Sequence, residues 1–136
     1  MAAQAERSAA SSELRLRAHA SELLVARHYA ARAAAAFGLG SEDSEDFVYA
    51  VNEAVTNAIR HGAPDGQGRI LVSMRADRAR LVFSVRDYGR FAMPAQVARA
   101  ELEGGRGFAL MGRLVDDVRL QIDSRGTTVT LTKERA

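Results

Sequence analysis

Cysteine is absent from this sequence, and its absence excludes several kinds of site at once. Without thiols the chain can form no disulfide bond, no thiolate metal centre and no cysteine nucleophile. The sequence also lacks the run of roughly 20 apolar residues that spans a bilayer, and it lacks the basic and then apolar start of a secretion signal. We therefore expect a cytoplasmic protein that is neither exported nor held in a membrane.

Clustered positive charge is missing as well. The formal net charge is +2, and the basic residues are spread from Arg7 to Arg135 instead of forming one tract. A nucleic-acid-binding surface normally concentrates such residues, so we expect no direct nucleic-acid partner. Lys133 is the only lysine and follows no glycine-rich loop, which excludes a phosphate loop of the Gly-Lys-Ser/Thr type. Any phosphate contact must come mainly from backbone amides or arginine.

The periodic segments of the sequence predict helices and antiparallel strands. Apolar residues at helical spacing begin after Ser21 and stop at Gly38. A second helix follows an acidic start near Ser41 or Ser44 and runs to about His61. Alternation of polar and apolar residues predicts five strands, at residues 13–18, 70–74, 81–85, 118–122 and 127–132.

A chain of 136 residues is the size of one domain. We expect a flexible N-terminal tail at residues 1–12, followed by a single domain at residues 13–136. A short helix is also predicted between Pro94 and Leu102, and another begins near Gly107. The expected fold class is α/β (α+β), a two-layer sandwich in which helices cover one face of a mostly antiparallel sheet.

The second predicted helix places Glu53 and Asn57 on one face, one turn apart. A carboxylate there could orient or deprotonate an attacking hydroxyl. An amide oxygen could be one of the few protein ligands of a Mg²⁺ ion that is otherwise held by water and phosphates. The alternative is an ordinary solvated helix face. His61 lies on the same face and could instead be a partner of the helix dipole.

Asp87 follows the third predicted strand, on the side where alternation places the apolar residues. Because a buried carboxylate needs a donor, the exocyclic amino group of adenine is a suitable partner, and Gly89 would leave room for the ring. The hydroxyl of Thr127 is expected on the same inner face. The alternatives are an ordinary Asp-Tyr-Gly turn and an ordinary strand threonine.

Gly105, Arg106 and Gly107 precede an apolar helix start, where free amides and the helix dipole can receive phosphate. The guanidinium group of Arg106 could add a contact to a phosphate or to an acidic partner. Leu110 stands where a dinucleotide-binding fingerprint would have its third glycine, so that fingerprint is excluded. A flexible glycine connector and a solvated arginine are the alternatives.

In combination, these motifs resemble the GHKL ATP-binding fold. Their order is Glu-x-x-x-Asn, Asp-x-Gly, Gly-x-Gly and Gly-Thr-Thr, from Glu53 to Thr128. Residues 53–62 and 105–111 more narrowly resemble the anti-sigma-factor serine/threonine kinases of bacterial partner-switching systems, and the resemblance extends from about Glu13 to Lys133. It implies a Bergerat-type sandwich that binds Mg-ATP.

The resemblance further implies an ATP-dependent protein serine/threonine kinase that sequesters a sigma factor and phosphorylates a small anti-sigma-factor antagonist. By position, Glu53 would be the catalytic base and Asn57 the magnesium ligand. The family commonly dimerises, and residues 13–37 would be the surface for a homodimer. The implied nucleotide-binding residues are Asn57, Asp87, Gly89, Gly105, Arg106, Gly107 and Thr127.

The sequence departs from the family pattern at one point, because Phe91 replaces the second glycine of the usual Asp-x-Gly-x-Gly box. This change could alter how the turn meets the nucleotide. Two other functions therefore stay open: a regulatory module that binds ATP and a partner but transfers no phosphate, and an interaction domain that binds no nucleotide. A histidine-kinase sensor is not expected, since the sequence supplies no phosphoacceptor helix domain.

Overall fold

One antiparallel sheet forms the base of the architecture. The structure is a computed structural model, and it describes residues 10–62, 68–89, 99–100, 102–104 and 106–135. Its strands are β1 (Ala10–Arg17), β2 (Arg69–Ala76), β3 (Arg80–Asp87), β4 (Asp117–Asp123) and β5 (Gly126–Glu134). They lie in the order β1-β2-β3-β5-β4, and each neighbouring pair is antiparallel. The last strand of the chain therefore lies between β3 and β4, and its start is beside the end of β3.

The helices of the described residues begin and end where the sequence supplies suitable residues. Gly38 follows the first helix with a φ of 95°, a left-handed cap that glycine adopts without a side-chain penalty. The second helix has Glu42 and Asp43 in its first turn and Arg60 and His61 in its last, so both ends complement the helix dipole. The helices with defined bounds are α1 (Leu23–Phe37), α2 (Ser41–Gly62) and α3 (Arg106–Leu114).

The core lies between the helices and one face of the sheet. Helix α2 packs on β3 and β5, and α1 packs beside α2. Phe83 of β3 is fully buried, with the ring centroids of Phe47 and Tyr29 at 5.5 Å and 5.7 Å. Such tilted and edge-on aromatic pairs add to the stabilisation that comes from buried area alone. The core therefore fixes α2 on the centre of the sheet.

The strands follow the inward and outward alternation that the sequence predicts. Along β3, Leu81, Phe83, Val85 and Asp87 are buried, and the residues between them are half-buried on the other face. Asp87 thus occupies an inward position that apolar residues hold elsewhere on the strand. Within the described residues, no helix is both long and apolar enough to cross a membrane.

The predicted fold class is confirmed, with one correction at the N-terminus. Strand β1 begins at Ala10, so the assignment of residues 10–12 to a flexible tail is wrong. This end of the strand is exposed and carries small polar residues, so no apolar alternation marks it. Residues 1–9 and most of the predicted helix after Pro94 lie outside the described residues. The single-domain assignment stays a prediction.

Candidate functional site

A cleft lies between the C-terminal half of α2 and the end of the sheet where β3 stops and β5 starts. Leu102 and Phe108 form part of its other wall, and the polar side chains that line it are Asn57, His61, Asp87 and Thr127. The free space is about 10 Å³, little more than one water molecule needs. Side chains of the wall would therefore have to move before a planar base could enter.

Asp87 lies at the floor of this cleft. Only 4% of the residue is exposed. Its Oδ1 atom accepts a hydrogen bond of 3.1 Å from the amide of Gly89. No basic side chain of the described residues forms an ion pair with it. The carboxylate thus keeps acceptor capacity that faces the cleft.

Burial changes the proton affinity of this carboxyl group. Loss of hydration raises the pKa of Asp87 to about 6, and the amides of Gly89 and Thr127 and the charge of Arg86 oppose that rise. Above this pH the cleft contains a buried anion with too few partners. A ligand that brings a hydrogen-bond donor would relieve the cost.

Thr127 provides the second polar group of the cleft floor. It is paired with Asp87 across β3 and β5 and is 4% exposed. Among the described residues, its buried Oγ1 atom has no hydrogen-bond partner. An unpaired hydroxyl beside a buried carboxylate with few donors suits a flat ligand that carries a donor and an acceptor on one edge, as the six-membered ring of adenine does.

Gly126 brings these two strands unusually close together. Its φ is 153°, and a Cβ at this position would lie 2.1 Å from the carbonyl oxygen of Asp87 and 2.9 Å from the Cα of Tyr88. Only glycine fits such an approach without displacing the backbone. The sequence indicated a turn at Gly126, but it did not indicate that this turn packs against the backbone of Asp87.

Glu53 and Asn57 meet the N-terminal end of α3. A Cβ at Gly107 would lie 2.8 Å from Oε2 of Glu53 and within 3.7 Å of both polar atoms of the Asn57 amide. The absence of a side chain at Gly107 therefore lets α3 approach the two polar residues of α2. The helix start, with its free amides and dipole, lies beside a carboxylate and an amide oxygen.

The structure thus brings together most of the residues that the motifs singled out. Asn57 lines the cleft that contains Asp87 and Thr127, and it also lies against Gly107. Arg106 is exposed at the first residue of α3. Gly105 lies outside the described residues. The roles of these residues stay predictions.

Three cleft residues were missed by sequence reasoning or given another role. His61 lines the cleft, although the helix dipole offered an equal explanation for it. Its position four residues after Asn57, on the same helical face, was the available signal. Leu102 and Phe108 carried no signal, because an apolar residue near a glycine turn does not indicate whether it faces core or cleft.

The comparison with known sequences decides the family. Residues 16–133 match the family described as histidine kinase-like ATPase domain. This chain belongs to that family. As a histidine kinase-like ATPase domain, it is expected to bind a nucleotide, and the cleft floor of Asp87 and Thr127 is consistent with that property.

Two curated members of Bacillus licheniformis are similar to this histidine kinase-like ATPase domain. Serine-protein kinase RsbW is 37% identical over 113 residues, which cover 74% of this chain and 70% of that protein. An anti-sigma F factor is 36% identical over 93 residues, which cover 61% of this chain and 64% of that protein.

Solved structures show the same fold. The RsbU and RsbW domains of a Mycobacterium tuberculosis protein match with a TM-score of 0.71 and 26% identity, over 93% of this chain and 33% of that chain. The histidine kinase domain of a blue-light activated histidine kinase from Erythrobacter litoralis matches with a TM-score of 0.54 and 20% identity, over 82% and 59% of the two chains. The histidine kinase-like ATPase domain thus spans a third of the longer Mycobacterium chain.

Proposed function

We propose that this protein is an ATP-dependent protein serine/threonine kinase and an anti-sigma factor. It binds Mg-ATP, sequesters a sigma factor and phosphorylates a small anti-sigma-factor antagonist. The observation that carries the proposal is the meeting of Glu53, Asn57 and Gly107 at one end of a cleft whose floor contains Asp87 and Thr127. The names of the two Bacillus relatives support both activities.

We base adenine binding on the Asp87 carboxylate and the unpaired Thr127 hydroxyl at the cleft floor. The carboxylate of Asp87 accepts a hydrogen bond from the exocyclic amino group, and the hydroxyl of Thr127 donates to a ring nitrogen. Gly89, whose amide donates to Asp87 over 3.1 Å, holds the carboxylate in place and leaves the edge of the ring free of a side chain. A guanine base would put an oxygen where adenine has its donor, so the same floor disfavours it.

The phosphates extend from the base toward the N-terminal end of α3. The amides of Arg106 and Gly107 receive their charge with the help of the helix dipole, and Arg106 adds a guanidinium group. The same role for Gly105 rests on the resemblance alone. Within the described residues no three His, Asp or Glu side chains come together to hold a metal ion. Asn57 supplies the protein oxygen for Mg²⁺, and the phosphates and water complete its shell.

Glu53 acts on the hydroxyl of the protein substrate. It accepts the proton of a serine or threonine hydroxyl while that oxygen forms a bond to the γ-phosphorus and the bond to the bridging oxygen of ADP breaks. The chemistry that a bound Mg²⁺ supplies is neutralisation of the negative charge on the phosphates. Asn57 and the start of α3 keep the phosphates within reach of Glu53.

We assign a homodimer to residues 13–37. Among the described residues β1 is an edge strand, so its outer backbone groups could pair with another strand. On α1, Leu24 and Val25 are 53% and 43% exposed, and Val25 lines a surface groove together with Leu14 of β1. An exposed apolar pair together with an edge strand favours a second copy as the partner. The cytoplasm, where sigma factors act, is the proposed location.

The decisive experiment incubates the protein with Mg-ATP and a small antagonist protein from the same genome, and then measures the mass of the antagonist. Addition of one phosphate is expected, at a residue that mass spectrometry identifies as serine or threonine. Glu53→Gln is the matched control. It should bind ATP, but its rate of phosphate transfer should be lower by at least about 100-fold. ATP binding without any transfer would instead support the regulatory module, which the replacement of the second box glycine by Phe91 leaves open.

A further inference from the structure

Arg86 lies on the face of the sheet opposite the described helices, directly behind the cleft floor. Its neighbours along β3, Val85 and Asp87, both point inward to the cleft. The side chain of Arg86 points outward and is 27% exposed. None of the motifs that define the nucleotide site includes it. Its contacts nevertheless lie at the end of the sheet that carries the site.

The guanidinium group of Arg86 joins three strands. Its Nη1 atom donates to Oγ1 of Thr128 on β5 over 3.0 Å, and its Nη2 atom lies 3.6 Å from Oδ2 of Asp123 at the end of β4. The ring of Tyr88 lies beneath it, with 5.2 Å between the guanidinium carbon and the ring centroid. A planar cation suits this combination of a hydroxyl, a carboxylate and an aromatic face.

The same contacts lead to the backbone of the cleft floor. The Oδ1 atom of Asp123 accepts hydrogen bonds of 2.7 Å and 3.0 Å from the amides of Arg125 and Gly126. Gly126 in turn lies against the carbonyl of Asp87. Through Asp123, Arg86 is therefore connected to the β4–β5 turn, whose Gly126 packs against the end of β3. A change in this group would alter the distance between Asp87 and its strand partner.

We propose that Arg86 is a positioning residue for the nucleotide base: from the far face of the sheet, it sets the separation and orientation of Asp87 and Thr127. The inference rests on the proposed function, in which the base binds at these two side chains. Arg86 does not touch the base. It acts through the β4–β5 turn and through the backbone on either side of Asp87.

Arg86 also acts on Asp87 by its charge. Its positive charge lowers the pKa of Asp87 against the burial that raises this pKa to about 6. Other titratable groups lie near Asp87 or Arg86. Among the described residues, His61 of α2 also lines the cleft, and Glu53 lies two turns before His61 on the same helix. Asp123 of β4 contacts Arg86 on the opposite face of the sheet. Removal of the Arg86 charge should therefore raise the pKa of Asp87 further and confine the ionised form to higher pH.

The test compares Arg86→Met with Arg86→Lys. Methionine removes both the charge and the hydrogen bonds, whereas lysine keeps the charge but loses the planar fork. Arg119→Met is the matched control, because Arg119 lies on the same face of the sheet and forms an ion pair with Asp117 at 3.0 Å, although it is more exposed than Arg86. ATP affinity is measured by calorimetry across the range of about pH 5 to 9. The titration of the Asp87 carboxyl carbon is followed by NMR without nucleotide.

Arg86→Met should weaken ATP binding about fivefold to tenfold at pH 8, the scale of a misplaced charge-assisted hydrogen bond. It should also move the acidic limb of ATP binding and the NMR titration of Asp87 to higher pH. Arg86→Lys should lose part of the affinity but keep both pH profiles near those of the wild-type protein. Arg119→Met should change neither affinity nor pH profile.

A purely structural role for Arg86 would lower thermal stability without a shift of the Asp87 titration. If Arg86→Met binds ATP like the wild type and Asp87 titrates unchanged, the inference is overturned while the proposed function stands. If the wild-type protein binds no ATP, the proposed function fails and this inference fails with it. If Arg86→Met does not fold, Arg86→Lys decides, because unchanged affinity in that variant contradicts a need for the planar fork.

Discussion

Asp87 is a residue at which stability and function oppose each other. In the folded protein its pKa is raised to about 6 by burial, above the value of about 3.9 expected for an unfolded chain. Between these two pH values the folded state binds more protons than the unfolded state, so the free energy of unfolding falls as pH rises. Above about pH 6 the folded protein carries the full cost of the buried anion.

Replacement of Asp87 by asparagine should therefore change stability and binding in opposite directions. At pH 8 we expect the free energy of unfolding of Asp87→Asn to exceed that of the wild type by about 1–3 kcal/mol, because the buried charge is gone. The ATP affinity should fall at least tenfold, because the charge-assisted bond to the amino group is lost. Urea unfolding and calorimetry measure the two quantities.

The stability difference between Asp87→Asn and the wild type should shrink as the pH falls from about 6 to about 4, and it should be smallest at still lower pH, where the carboxyl group is neutral in both the folded and the unfolded state. A less stable variant at pH 8 would mean that the amides of Gly89 and Thr127 outweigh the burial cost. Unchanged ATP affinity would remove Asp87 from the nucleotide site.

At the scale of one element, α3 contains two glycines with different surroundings. A Cβ at Gly107 would come within 2.8 Å of Oε2 of Glu53, whereas a Cβ at Gly112 would meet nothing within 4 Å. Alanine favours the helical backbone over glycine by up to about 1 kcal/mol at either position. Only an alanine at Gly107 changes the surroundings of Glu53, the proposed catalytic base.

Gly107→Ala should slow phosphate transfer at saturating ATP by about tenfold or more, because the carboxylate of Glu53 must move aside. The carboxylate is the end of a flexible side chain, so the protein should remain folded. Gly112→Ala is the control, and it should raise the unfolding temperature without slowing transfer. Equal transfer rates for the two variants would show that Glu53 does not act from its position beside α3.

Strand β5 allows an analogous comparison at Gly126. An alanine Cβ there would overlap the carbonyl oxygen of Asp87 at 2.1 Å, and the overlap involves backbone that cannot turn away. We expect Gly126→Ala to lower the free energy of unfolding by about 2–4 kcal/mol. At Gly40 a Cβ would meet nothing within 4 Å, so Gly40→Ala is the control and should be close to neutral. A near-neutral Gly126→Ala would mean that the β3 and β5 ends separate easily.

For the molecule as a whole, the proposed homodimer makes a further prediction. Leu24 and Val25 are exposed on α1, within the residues assigned to the dimer, so Leu24→Glu should introduce a charge into the interface between two copies. Sedimentation should show a dimer for the wild type and a monomer for the variant, with ATP affinity unchanged. Ala79→Glu, at an exposed position of the β2–β3 turn outside residues 13–37, is the control and should stay a dimer. A wild type that sediments as a monomer would contradict the assignment.

Local patterns in the sequence were sufficient for the elements and for the direction of several side chains. The acidic start of α2 and its glycine-limited end predicted the helix, and strict alternation put Asp87 and Thr127 on the inner face. The start of β1 was missed because an exposed edge strand needs no apolar residue there. The contacts of Gly126 and Arg86 could not be predicted from such patterns, since they depend on β5 lying between β3 and β4.

Helix α2 contributes both to the core and to the proposed catalytic site. Phe47, Val51 and Val55 of this helix are buried in the core, while Glu53 and Asn57 of the same helix contact α3. A helix is stiff over this length, so repacking beneath it would tilt the reacting side chains as well. Substitutions intended to raise the unfolding temperature should therefore spare the core-facing residues of α2 and begin at positions with open space around them, such as Gly40 and Gly112.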